Sequence, residues 1–139
     1  MLNSELFESC SMKNSDLYTA LGELFYGVSC ADGKIDEKEQ DRLRKELDQV
    51  WKDWDNKVDE FGSDSAHYIT FAFDALREQD MESDEAWQRF KTFYQRNKMQ
   101  FDPDLKAQII RTATAIAYAK AGFNKAELGI LSDLHLLFN

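Results

Sequence analysis

A single proline and only six glycines interrupt the 139 residues, so long unbroken helices are open to most of the chain. Neither Asn-Gly nor Gly-Gly occurs, so those two short-range hairpin signals are absent. Two cysteines, Cys10 and Cys30, cannot form the framework that staples small secreted domains. Positive charge is scarce: 17 lysines and arginines stand against 26 aspartates and glutamates, a net charge of −9. A surface of that sign repels phosphate backbones, which argues against DNA or RNA as the main partner and suits cations or a basic protein. No stretch approaches the ~18 uninterrupted apolar residues of a membrane-spanning helix. Residues 1–8 lack a basic segment followed by an apolar one, so no signal peptide is expected and the cytoplasm is the expected compartment.

What is present is helical periodicity. Apolar residues make up 43% of the chain and aromatics 13%, enough for one domain to bury a core without metals or disulfides. Residues 1–14 read as an N-terminal arm in which Leu6, Phe7 and Met12 are free to pack, and residues 15–139 as a single helical domain. Leu17, Leu21, Leu24, Phe25 and Val28 form one stripe and predict a helix over 16–31 capped by Ser15. Leu43, Leu47, Val50, Trp51 and Trp54 continue the spacing, with Asp41, Arg44, Lys45 and Asp48 on a solvated face carrying pairs within the helix. Periodicity is lost over 55–65, the expected long connection. A third helix is predicted over 65–79 with Ile69, Ala72, Phe73 and Leu76 inside. The β-branched and aromatic residues at 67–71 would also suit a strand, but no partner strand is evident.

Ser83 is the expected cap of a fourth helix, with Trp87, Phe90, Phe93 and Tyr94 buried and the interleaved Arg89, Lys91, Arg96 and Lys98 solvated. Asp102-Pro103 is a cap followed by proline at the first helical position, opening a helix over 103–121. That helix buries Leu105, Ile109, Ala113, Ile116 and Ala117, and its small residues suit a central place in the fold. Leu128, Leu131, Leu134, His135 and Phe138 line the last one. The fold class is all-α with six to seven helices.

The most informative stretch is the corner between the first two helices, Cys30-Ala31-Asp32-Gly33-Lys34-Ile35-Asp36-Glu37-Lys38-Glu39. Gly33 suits the positive φ of a helix end. Asp36 and Glu39 form a capping box that restarts the next helix. Gly122 followed by Asn124 and Glu127 repeats the arrangement near the end of the chain. Two helical hairpins packed face to face as pseudo-symmetric halves would account for the repeat.

The segment Ala31-Asp32-Gly33-Lys34-Ile35-Asp36-Glu37-Lys38-Glu39 resembles the Ala-Asp-Gly-x-hydrophobic-x-x-x-Glu signature of the TerB-like family associated with tellurite resistance. The resemblance implies an all-helical fold of two related halves with an acidic, divalent-metal-binding site between the motifs. Asp32 and Glu39 are the matching positions, and Asp36 is an extra carboxylate beside them. In the second motif Ala121-Gly122 stands where the family has Asp-Gly, so only Glu127 is carried over.

The residues themselves leave two roles open for these carboxylates. Asp32, Asp36, Glu39 and Glu127 supply the oxygen donors that hard cations such as Ca²⁺ or Mg²⁺ prefer. Equally, Asp36 and Glu39 satisfy helix-start amides while Asp32 sits in a solvated turn. A standard EF-hand is not expected, because its first and third ligand positions would fall on Val28 and Cys30. Cys10, Cys30, His67 and His135 show no zinc-ligand spacing. Cys30 reads as a buried structural thiol, His67 as a surface residue and His135 as a core or boundary residue. Gly22 to Ser29 imitates a phosphate loop, but Val28 replaces the required lysine and the segment reads as helix. No nucleophile, base or cofactor fingerprint is present, so the expectation is a non-enzymatic module in stress response or scaffolding. The alternative expectation is a metal-independent protein-interaction or dimerisation domain that uses aromatic residues such as Trp51, Trp54 and Phe61.

Overall fold

The computed structural model describes residues 14–31, 37–58, 67–119 and 125–139. Among these, every regular element is helical: α1 (Asn14–Ser29), α2 (Glu37–Val58), α3 (His67–Gln79), α4 (Ser83–Arg96), α5 (Pro103–Ala119) and α6 (Lys125–Phe138), with a short 3₁₀ turn, Lys98–Gln100, after α4. The expected all-α class holds, and the segment at 67–71 is helix rather than strand. Residues 1–13 of the expected arm and the glycines of both corners lie outside the described residues.

The central helix is α1, not α5 as its small residues led us to expect. Beyond the expected stripe, Tyr18, Ala20 and Tyr26 are also buried, so α1 is enclosed on nearly all sides. It packs most extensively on α3 and α4 and also touches α5 and α6, whereas α5 lies against α1 and α6. One glycine is required by the close approach. At Gly22 a Cβ would collide with the carbonyl oxygen of Ile69 and lie 2.7 Å from the Ala72 Cβ, so α3 crosses against bare backbone. At Gly27 the same atom would stand 3.4 Å from the Ala86 Cβ on α4, an ordinary van der Waals contact. Five residues turn a helix by about 140° beyond one revolution, which puts the two contacts on different faces of α1.

Ser83 does not cap α4. The residue before the helix is Glu82, with no side-chain cap bond. The Ser83 hydroxyl instead donates to the Gly27 carbonyl at 2.8 Å and ties α4 to α1. Arg89 adds a second tie, 3.2 Å from Glu23. Burial pushes the Glu23 carboxyl above its ordinary value, and Arg89 opposes that shift by hydrogen bonding and charge.

The connection expected over 55–65 begins later, because α2 continues to Val58. Loss of an apolar stripe does not end a helix where neither glycine nor proline intervenes. Its charged face is less solvated than expected: Arg44 lies 3.2 Å from Asp74, and Asp41 3.6 Å from Arg77, both across to α3. The first is an ion pair without an aligned hydrogen bond. Among the described side chains, the ion pair within the helix is Arg42–Glu46, at 3.4 Å. Trp51 is fully buried against Tyr18 and Phe25 of α1, which places it in the core rather than in a partner-binding patch. Trp54 packs partly buried beside it, and Phe61 lies outside the described residues.

The far end of the molecule is aromatic. Phe90, Tyr94, Phe101 and Phe138 meet at centroid separations of 4.9 to 6.4 Å, in tilted or edge-to-face pairs. Lys106 closes this cluster, with its ammonium donating to the Phe138 carbonyl at 3.3 Å over both the Tyr94 and Phe138 rings. The cap of α5 is as expected: the Leu105 amide donates to Asp102 Oδ1 at 2.8 Å, with Pro103 in the first turn. The interior positions expected on α3, α4 and α5 are buried, except that Phe93 is half-buried. On α6 Leu131, Leu134 and Phe138 are buried, His135 is exposed, and the side chain of Leu128 lies outside the described residues.

Gly22→Ala is expected to destabilise the protein by about 1–3 kcal/mol, since the added carbon meets backbone that cannot yield cheaply. Gly129→Ala, with no atom within 4 Å of the added carbon, is expected to be neutral or to stabilise by up to about 1 kcal/mol. Urea unfolding of the two variants measures both.

Candidate functional site

The backbone at the end of α3 is unusual. Asp80 has φ 54°, the left-handed region in which glycine is ordinarily found. Its amide donates to Arg77 O at 3.1 Å and the Met81 amide to Leu76 O at 3.1 Å, the paired bonds of a Schellman stop. This stop turns the chain sharply enough for α4 to begin at Ser83. The phenol of Tyr26 on α1 pins the turn, donating to the Met81 carbonyl at 2.8 Å.

A cleft of roughly 620 Å³ opens over this turn, within the size range of small-ligand sites. Its walls come from three separated parts of the chain: Tyr26, Cys30 and Ala31 at the end of α1, residues 80–84, and Gly129, Ile130 and Asp133 on α6. Four carboxylates, Asp80, Glu82, Asp84 and Asp133, line it, and no lysine, arginine or histidine does among the described residues. The cleft therefore carries negative potential, focused by apolar walls. Among the described residues no group of three or more acidic, histidine or cysteine side chains is arranged to hold a metal ion.

Cys30 is half-buried and lines the cleft, rather than being sealed inside as the sequence led us to expect. Its sulfur lies 3.7 Å from Ser29 Oγ, and that hydroxyl donates to Tyr26 O at 2.8 Å. The Tyr26 phenol is pushed well above its ordinary value, first by burial, then by the charge and hydrogen bonding of Cys30 and by the charge of Asp80.

Of the residues the sequence singled out, Asp32 and Asp36 lie outside the described residues, as do the side chains of Glu39 and Glu127. The helix starts are described. α2 begins at Glu37 and α6 at Lys125, which makes Glu39 and Glu127 the third residue of each helix, the register a capping box requires. Ala31, immediately before Asp32, and Gly129, two residues beyond Glu127, line the same cleft. Sequence reasoning missed Asp80, Glu82, Asp84 and Asp133. The available signal was the acidic run from Asp80 to Glu85, which periodicity treats as ordinary helix surface.

Elsewhere the basic and aromatic stretch 87–98 is a core stripe with a solvated back, as expected: Trp87, Phe90 and Tyr94 are buried while Arg89, Arg96 and Lys98 are exposed. His67 is half-buried in a small aromatic group with Tyr68 and Phe71, at 4.5 and 5.1 Å.

Two measurements follow from this geometry. Above about pH 10 the folded state holds the Tyr26 proton that the unfolded chain has begun to release, so stability falls as pH rises. Tyr26→Phe should lose less stability over that alkaline range than the parent protein, while costing about 1–3 kcal/mol at neutral pH through the abandoned Met81 carbonyl. At position 80, glycine should give a protein about 1 kcal/mol more stable than alanine, both lacking the carboxylate and differing in tolerance of the left-handed turn. Chemical denaturation across pH and of the two position-80 variants reads these effects.

Compared with models of known protein families, with curated proteins and with solved structures, the chain matches none.

Proposed function

We propose that the chain is a non-enzymatic, TerB-like helical module of the cytoplasm that takes a divalent cation, Ca²⁺ or Mg²⁺, at its acidic corner and serves stress response or scaffolding. The observation that supports this most is the shared cleft. The segments leading into Asp32 and out of Glu127 both border it, and the carboxylates of Asp80, Glu82, Asp84 and Asp133 add to the negative field there. Asp80 strengthens the reading, because an acidic residue occupies a backbone position that glycine fills at lower cost. Asp32, Glu39, Asp36 and Glu127 are the proposed oxygen ligands, and the four cleft carboxylates raise the local cation concentration.

The second reading is metal-independent protein interaction or self-association. It draws on exposed apolar surface, above all Phe71, which is 61% exposed beside Tyr68 at the start of α3.

Thermal melts in chelator and then in Ca²⁺ or Mg²⁺ separate the readings. An ion bound to the folded state at about 100 times its Kd adds about 2.7 kcal/mol, a rise of several degrees for a chain of this length. The rise should vanish in Asp32→Ala and Glu39→Ala and shrink in Asp84→Asn and Asp133→Asn. No rise with either ion, together with destabilised Asp32→Ala and Glu39→Ala proteins, would assign those carboxylates to caps and turn. Self-association unchanged by chelator and reduced by Phe71→Ser would then support the second reading.

A further inference from the structure

α3 has three sides, and its neighbours take up two of them. Ile69, Ala72, Phe73 and Leu76 are buried on the side that meets Gly22 of α1. Thr70, Asp74 and Arg77 turn toward α2: Asp74 and Arg77 pair with Arg44 and Asp41, and Thr70 borders a depression that Arg44 and Asp41 also line. Tyr68, Phe71, Ala75 and Glu78 make the third side. At 100° per residue these four lie within about 80° of one another. All four are exposed, Phe71 to 61%. The Phe71 ring is braced on that surface by edge contacts with His67 and Tyr68, whose centroids lie 5.1 and 6.2 Å away, so little of its freedom remains to be lost on binding.

This third side is complementary to itself. Its steps along the chain are three, four and three, the alternation of a helix–helix seam and the same in either direction. When a second α3 is laid antiparallel about a two-fold axis at position 73, Phe71 faces Ala75 and Tyr68 faces Glu78, each pair occurring twice. A large side chain thus meets a small one, which lets the axes approach to the short end of the usual 8–10 Å. A phenol meets a carboxylate, a donor facing an acceptor. The second copy's Glu78 also comes beside the first turn of α3, which starts at His67, where the helix dipole favours negative charge. A parallel arrangement would instead set Phe71 on Phe71 and Glu78 on Glu78, large on large and like charge on like.

We propose that a second copy of the chain covers this side, α3 pairing antiparallel with α3 in a two-fold dimer held by Phe71 on Ala75 and by Tyr68 on Glu78. The dimer rests on the self-association reading above and needs no cation. One pair of thirteen-residue helices makes less than the standard interface of about 1,600 Å², so a micromolar or weaker dimer is expected.

Sedimentation equilibrium in chelator at up to about 0.5 mM protein, where a micromolar dimer is formed, should show dimer, and Phe71→Ser should weaken it tenfold or more. Geometry is read by disulfide trapping in a Cys10→Ser, Cys30→Ser background, with Tyr68→Cys in one chain and Glu78→Cys in another. Phe71 and Ala75 remain in both to hold the register. Mild oxidation of the mixture should join position 68 to position 78 in at least tenfold excess over either like pair, because like positions stand about 15 Å apart along the seam. A protein that stays monomeric would overturn both the dimer and the self-association reading. A dimer unmoved by Phe71→Ser, or one that joins 68 to 68 or 78 to 78, would overturn the α3 pairing and leave self-association to another surface.

Discussion

The fold depends on how closely α3 can approach the backbone of α1. Gly22 leaves α1 bare where α3 is drawn in against it, while α4 packs on a different face at ordinary van der Waals distance from Gly27. Around those contacts Leu21, Leu24, Phe25 and Val28 lose nearly all contact with water. Each such side chain contributes about 1.5–3 kcal/mol on full burial, so this single helix concentrates a large share of the stabilisation. The hydroxyl of Ser83 and the guanidinium of Arg89 then hold α4 to α1 by polar contacts at the edge of the same interface. A side chain at position 22 would push α3 away, and Tyr26 would then stand further from the Met81 carbonyl it now reaches.

The acidic cleft is a by-product of that geometry. Because α3 must stop abruptly and α4 must return along α1, the chain reverses within the four residues 80–83, with Asp80 in a left-handed conformation. Carboxylates gather where α1 ends, α3 turns and α6 passes, and the phenol of Tyr26 joins the two sides. The enclosure that makes the phenol reluctant to ionise is the same enclosure that focuses the negative field on whatever enters.

Most of the helices were legible because an apolar stripe at helical spacing is a local property of the chain. The interior faces of α3 and α5 could be read directly from Ile69, Phe73 and Leu76 and from Ile109, Ala113 and Ala117. The identity of the central helix could not, because it depends on which stripes meet in space. The clue was present in α1, where Tyr18, Ala20 and Tyr26 lie off the main stripe and two glycines sit mid-helix without breaking it. Ser83 misled for a related reason: its type and position suit a cap, but the hydroxyl bonds to another helix instead. The cleft was hardest to foresee, since residues 26–31, 80–84 and 129–133 become neighbours only on folding. Glu39 and Glu127 stand third in α2 and α6, and the expected cap residues before them, Asp36 and Asn124, lie outside the described residues.

The enclosure of α1 also sets an order of events during synthesis. Gly27 is paired with Ser83, 56 positions later. At about 5–20 residues per second, α1 leaves the ribosome seconds before the helices that cover it exist. For that interval a helix with apolar residues on almost every face has only Trp51 of α2 to pack against, and the faces that α3 and α4 will cover stay open. The most protected element of the finished protein is therefore its most exposed one while the chain is being made, and the stage at which a holding chaperone would act is before α4 emerges.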